Sequence, residues 1–208
     1  YGDYALARAV ELKEQLGATI TVVHVGLADS EPQIRKALAI GADEAIRVDA
    51  DPIDSLYVAQ QIAQIAQQEQ FDLIMMGRES IDYNSGVVHG LVGGLLNIPA
   101  FSPVMELQIE GTTVHLAREI EGGKEYLRTT LPIIVGCQEP IAEWKIPNMR
   151  GIMTARTKPL KVVPASDSPI GTQLKRYHLP AAKKACQMID ASQAATLIHL
   201  LRTEAKVL

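Results

Sequence analysis

The stretches ATITVVHVG, residues 18–26, and FDLIMMG, residues 71–77, decide the fold. Each reads as a strand ended by glycine, and the β-branched run of the first suits a strand buried on both faces of a parallel sheet. Between them the chain alternates. Ile34, Ala37, Leu38 and Ile40 mark a short helix stopped by Gly41, and AIRV at 45–48 is a short strand. Asp54 then stands where it caps a helix whose broad apolar face is Val58, Ala59, Ile62, Ala63, Ile65 and Ala66. Upstream, Leu6, Ala9, Val10, Lys13 and Leu16 fall at helical spacing, and Gly17 sits where a left-handed cap ends such a helix. Downstream, the loop RESIDYNSG leads into a helix predicted from Ser85 to Asn97. Strands and helices alternating at this length imply an α/β fold, a doubly wound, mostly parallel, Rossmann-like sheet.

After Pro99 the period changes. MELQIE and TVHLAREI alternate apolar and polar residues around Gly111, and REIEGGKEYLR centres a hairpin on Gly122 and Gly123, with Glu121 and Lys124 facing across it. LPIIVGC, residues 131–137, is again a buried run that rejoins the main sheet. From Gln138 onward Pro140, Pro147, Pro159, Pro164, Pro169 and Pro180 disfavour regular structure, and the stretch reads as an arm laid across another surface. Asp190 and Gln193 pair as a cap for a last helix with the apolar stripe Ala194, Leu197, Ile198 and Leu201. The expected organisation is an α/β nucleotide-binding domain over residues 1–137 and an extended arm with a C-terminal helix over residues 138–208, for subunit docking.

Composition removes several function classes. Of 208 residues 47% are hydrophobic, yet no apolar run approaches the ~20 residues of a membrane helix, so membrane insertion is not expected. A net charge of −4 supplies no pervasive basic surface for nucleic acid, and 4% aromatics leave few rings to stack on bases. The two cysteines, Cys137 and Cys186, are too few for a disulfide framework or a four-ligand zinc site and suit a reducing cytoplasm. The chain opens at Tyr1 on a helix with no strand before it, and reads as truncated.

In an open parallel sheet ligands bind beyond the carboxyl ends of the strands, here the loops after Val25 and after Met76. The second, GRESIDYNSGVV, places Ser80, Asp82, Asn84 and Ser85 before a glycine-containing helix start, where free amides and the helix dipole hold a phosphate. The competing reading is that Asn84 or Ser85 caps the helix. Neither a P-loop lysine nor G-x-G-x-x-G occurs, which removes ATP hydrolysis and the usual dehydrogenase site. His24, His89, His115, His178 and His199 show no metal-ligand spacing, Cys137 reads as a core thiol, and Ser85 lacks the G-x-S-x-G frame. A binding loop without an evident acid, base or nucleophile points to a protein that carries something.

REIEGGKEYLRTTLPIIVG carries Arg118, Glu121, Gly122, Gly123, Glu125, Leu127, Pro132, Ile134 and Val135 at the signature spacing of the electron-transfer flavoprotein β subunits, which this chain resembles. Leu116 replaces a smaller aliphatic residue there, and Gly136 stands where Thr, Ala, Cys or Ser is preferred. IRKALAIGADEAIRV (34–48), the loop after Gly77 and IPNMRGIMTARTKPL (146–160) extend the likeness over nearly the whole chain. What is lacking is the family's first ~35 residues, which supply the opening strand of such a sheet and part of its pocket.

The resemblance implies a heterodimer with an α subunit that holds most of a redox FAD, while the β subunit binds AMP or, in bifurcating members, a second FAD. It places the β pocket at Val25, Gly26, Ser80, Tyr83, Ser85, Gly86, Val87 and Val88, with no catalytic residue and no metal. Val87 stands where related loops have Gln, and Gly86 where they have Asn or Ala, so side-chain contacts to phosphate are fewer. The implied role is an electron carrier in the cytoplasm, passing electrons from acyl-CoA or related dehydrogenases of fatty acid oxidation to a membrane quinone reductase or similar acceptor. Ile146 aligns with the family's anchor for partner dehydrogenases, with Arg150, Arg156 and Lys158 as a basic cluster that steers an acidic partner. Its competing reading is an aliphatic side chain covered by Trp144 and Ile152. The other functions that this architecture admits are a nucleotide-binding regulatory domain of the stress type and a structural scaffold.

Overall fold

The computed structural model describes residues 1–183 and 185–208. It separates into two compact units, Tyr1–Gln173 and Leu174–Leu208. The first opens on α1 (Gly2–Leu16), which ends as the sequence implies: Gly17 adopts φ 71° and its N–H bonds to the carbonyl of Lys13. Then come β1 (Thr21–Val25), α2 (Glu31–Ile40), β2 (Glu44–Asp49), α3 (Ser55–Glu69) and β3 (Leu73–Gly77). Asp54 caps α3 by accepting from the Tyr57 N–H at 2.7 Å, and that bond holds its carboxyl below the usual range. The alternation predicted from residues 18 to 77 is therefore present.

The strands form two sheets. β1, β2 and β8 (Leu160–Pro164) make one that is parallel throughout; the other, in the order β3, β7 (Ile133–Cys137), β4 (Ala100–Glu110), β5 (Thr113–Ile120) and β6 (Gly123–Thr130), is parallel from β3 to β4 and antiparallel beyond. β7 (Ile133–Cys137) lies between β3 and β4 and is buried along its whole length, as its apolar run requires. β1 is not buried on both faces as its β-branched run suggests: most of its residues are only half-buried, as are those of β3, and each strand lies at a sheet edge. α1 and α3 pack on both sheets. Leu6 of α1 touches the cluster of Ile34, Leu38 and Ala45, while Ala5 and Leu12 join that of Ile133 and Val135. Ile62 of α3 belongs to the cluster of Val25 and Val48 and also to that of Ile134 and Val92.

The later elements are α4 (Val88–Leu96), β4 (Ala100–Glu110), β5 (Thr113–Ile120) and β6 (Gly123–Thr130). The second hairpin turns one residue earlier than its Gly-Gly pair suggests. Ile120 pairs with Gly123, so Glu121 and Gly122 form the turn, Gly122 taking the left-handed conformation at φ 82°. Lys124 consequently lies opposite Glu119 and makes its ion pair with Glu106 of β4, at 2.9 Å.

The proline-rich stretch contains regular structure. α5 (Met149–Ala155) is capped by Asn148, and β8 (Leu160–Pro164) extends the first sheet alongside β2. Its prolines fit the ladder because Pro159 precedes the strand and Pro164 ends it at the sheet edge. Beyond β8 the chain crosses α3, where the buried Gln61 accepts from the Ser166 N–H at 2.8 Å and donates to the Ser166 carbonyl and Ser168 Oγ, both at 3.1 Å. The second unit holds α6 (Ala194–Leu200), entered through a 3₁₀ turn in which the Asp190 carboxylate accepts from Ser192, while its backbone carbonyl accepts from the Gln193 N–H at 2.9 Å; Leu197 and Ile198 are exposed within that unit.

Gln61→Leu keeps the volume but leaves the Ser166 N–H and its carbonyl without their partner. Urea denaturation is expected to show a loss of about 2 kcal/mol, the cost of stranding buried backbone groups.

Candidate functional site

The loop after β1 is tied down from below. The Gly26 N–H donates to the Val48 carbonyl at 3.1 Å, and the Gly26 carbonyl accepts from Arg47 Nη1 at 2.9 Å. Arg47 is buried; it pairs with Asp49 at 2.6 Å, and its Nε lies 3.6 Å from Glu31. His24, in register with Arg47, is held below its ordinary pKa by burial and by that guanidinium. A Cβ at Gly26 would strike the His24 ring, which would have to turn aside. Val25 spends its side chain in the core beside Ile46 and Val48. Only backbone is left at this position to meet a ligand.

The loop after β3 is a compact turn. Ser80 and Ser85 bridge, with the Ser80 N–H donating to the Ser85 carbonyl at 3.0 Å; Ser80 Oγ donates to Asp82 at 3.1 Å, and Asn84 adopts φ 50°. The Ser85 hydroxyl lies 3.0 Å from that of Ser55 at the start of α3. α4 therefore starts at Val88 and not at Ser85. Its N-cap is Val87, which offers no side-chain acceptor, so neither Asn84 nor Ser85 caps it. The first amides of α4 thus lack a side-chain partner. Gly86 passes against the Arg78 carbonyl, Tyr83 and Val87 are exposed, and Val88 packs on the cluster of Val92 and Ile134.

Ser80, Tyr83, Ser85, Gly86, Val87 and Val88 form one loop and helix start, while Val25 and Gly26 end a strand of the other sheet. Arg78 sits beside the second loop. Its guanidinium stacks 4.8 Å from the Tyr1 ring centre, bonds to Gln138 at 2.7 Å and pairs with Glu79 at 3.3 Å. The uncapped amides at the start of α4 are donors that suit a phosphate group, while the Ser80 and Ser85 hydroxyls and the Arg78 guanidinium of the same loop already have protein partners. The side chains of Val87 and Val88 add nothing polar.

The other candidates fall into structural roles. His89 Nε2 lies 3.2 Å from the Arg78 carbonyl, and burial holds its pKa down against that hydrogen bond. Burial also pushes the Cys137 thiol up to about 12, far from thiolate reactivity. Gly136 is explained by Ser102 and His89, which fill the space that a side chain would need. Arg118 and Glu125 meet across β5 and β6 as a cross-strand ion pair. Among the described residues no group of three or more His, Cys, Asp or Glu gathers to hold a metal, and no helix is long and apolar enough to cross a membrane.

Ile146 is 73% exposed, and neither Trp144 nor Ile152 covers it. Met149 and Met153 are 73% and 66% exposed, which makes an apolar row along the segment and α5. Arg150 and Arg156 beside it are exposed and form no ion pair among the described residues, whereas Lys158 turns inward to the carbonyls of Leu38 and Ala42.

Residues 1–168 match the family model described as the electron transfer flavoprotein domain. The chain belongs to the electron transfer flavoprotein family. It is 36% identical to the electron transfer flavoprotein subunit beta of Bacillus subtilis, over all of this chain and 86% of the relative. It is also 30% identical to the subunit of that name from Bradyrhizobium diazoefficiens (all of this chain, 85% of the relative), and 34% to that of Mus musculus (79% and 67%). Within this β-type member of the family, the signature around Arg118–Val135 is the hairpin of β5 and β6 running into the buried β7.

Sequence reasoning missed Arg47 and Arg78. The signal for Arg47 was present, a lone arginine inside the apolar strand EAIRVD; Arg78 is the first residue after β3, and its contacts with Tyr1 and Gln138 are distant in sequence.

His24 and His89 stay neutral in the folded chain below their ordinary value of 6.5, while the unfolded chain protonates them there. The unfolded state then binds more protons, so stability is complete above that pH and falls as the pH drops below it. The melting temperature should be lower at pH 5.5 than at pH 7.5, and a His24→Gln, His89→Gln double variant should flatten the difference.

Proposed function

We propose that this chain is the β subunit of an electron transfer flavoprotein, an electron-carrier subunit without a substrate of its own. The observation that carries the reading is likeness to a named β subunit along the whole chain, with the signature hairpin in register. It pairs with an unlike α subunit, takes electrons from acyl-CoA or related dehydrogenases and delivers them to a membrane quinone reductase or similar acceptor, working in the cytoplasm. FAD held mainly by the α subunit supplies the reversible redox chemistry.

The residues of this chain bind and orient. The amides at the start of α4, with Ser80, Ser85 and Arg78, hold the phosphate of an adenine nucleotide, AMP in preference to a second FAD. Arg47 fixes the Gly26 carbonyl and so shapes the first loop. Residues 1–137 thus hold the nucleotide, and residues 138–208 carry the docking surfaces. Ile146 and α5 serve the dehydrogenase, and the exposed Leu197 and Ile198 of the last helix serve the α subunit.

Acid extraction of the α/β complex followed by chromatography should release one FAD and one AMP. Two FAD would assign the pocket to a second flavin, and one FAD with no further nucleotide would overturn the pocket. Deleting residues 185–208 is expected to weaken association with the α subunit in a titration; unchanged affinity would remove the last helix from the interface.

A further inference from the structure

The exposed row of Ile146, Met149, Ile152 and Met153 is backed by polar and close backbone contacts of its segment with α2. Arg35 of α2 donates through Nη1 to the Ala155 carbonyl at 2.9 Å and to the Lys158 carbonyl at 2.7 Å. Lys158 donates in return to the carbonyls of Leu38 at 2.8 Å and Ala42 at 2.5 Å, at the end of α2. The Lys36 ammonium lies 5.7 Å from the Trp144 ring centre and holds the approach to Ile146. Gly151 faces the backbone oxygen of Ala39 so closely that no Cβ fits, and only glycine lets α5 rest at this depth.

We infer that Gly151, Arg35 and Lys158 are positioning residues that fix the height and direction of this apolar row, so that a flavoprotein dehydrogenase docks on a platform already ordered. The inference rests on the docking reading of the Ile146 segment. The chemistry of the partner surface follows from charge: Arg150 and Arg156 are exposed on a chain whose net charge is −4, so they make a local basic rim. Its complement is an apolar socket edged by carboxylates. A platform held from behind binds without first losing conformational freedom, and a shift in its height misaligns apolar row and rim together.

The test uses the α/β complex and steady-state electron transfer from an acyl-CoA dehydrogenase. Gly151→Ala and Arg35→Gln should each raise the KM for the dehydrogenase about tenfold and leave kcat within about twofold, because they misplace the docking surface and touch no redox group. Reduction of the flavin by dithionite should be unchanged in both. Arg35→Lys, which keeps a cationic donor on a shorter side chain, should fall between Arg35→Gln and the parent. If Gly151→Ala does not fold, Arg35→Gln and Arg35→Lys decide alone. Should Ile146→Ala raise KM while Gly151→Ala and Arg35→Gln do not, the positioning role is overturned and docking stands. Should Ile146→Ala leave KM unchanged, the docking reading falls and the inference with it.

Discussion

The joint between the two sheets governs the first unit, because among the described residues no strand hydrogen bond crosses from β1–β2–β8 to β3–β7–β4–β5–β6. The connection is made by side chains of α1 and α3, mostly apolar ones. Ile62 of α3 is shared by clusters on both sides, Ala59 and Ala63 let the helix approach Ile134, and α1 supplies Leu6 to one side and Ala5 and Leu12 to the other. The fully buried Leu12 contributes about 1.5–3 kcal/mol, and the partly buried Leu6 and Ile62 contribute less. The two candidate nucleotide loops leave different sheets, so the placement of Gly26 relative to Ser80 and Gly86 is set by helix packing. A ladder would fix that spacing by register; here the shapes of a few side chains do.

That dependence explains what sequence could and could not disclose. Local signals read cleanly: the β-branched run at 21–25, the apolar run at 73–77, the left-handed Gly17, and Asp54 as the cap of α3. Each is decided by residues within a turn or two of one another. The hairpin offset was not legible, since either Glu121–Gly122 or Gly122–Gly123 makes an acceptable turn and the cross-strand register chooses between them. Likewise α4 begins at Val88 because Ser85 is engaged with Ser80 and Ser55, the second of these thirty residues away.

In the candidate site, the sequence points to these loops because a parallel sheet places ligands at its carboxyl ends. It does not point to the groups that hold those loops. Arg47 reaches a carbonyl 21 positions earlier, Gln61 a segment 105 positions later, and Arg35 and Lys158 exchange contacts across more than a hundred residues. Long polar side chains with distant backbone partners leave no periodic trace. They also convert loops and short helices into fixed bodies, which a binding surface needs if affinity is not to be lost in ordering it.

The two cysteines differ sharply in access: Cys137 lies in the fully buried β7, and Cys186 is exposed in the second unit. Thiol reagents act on the thiolate, and burial denies Cys137 both that form and the reagent. A maleimide dye or spin label added to the unaltered folded protein therefore marks a single position. Attached at Cys186, it reports on the C-terminal segment when a partner binds, without any substitution in the chain.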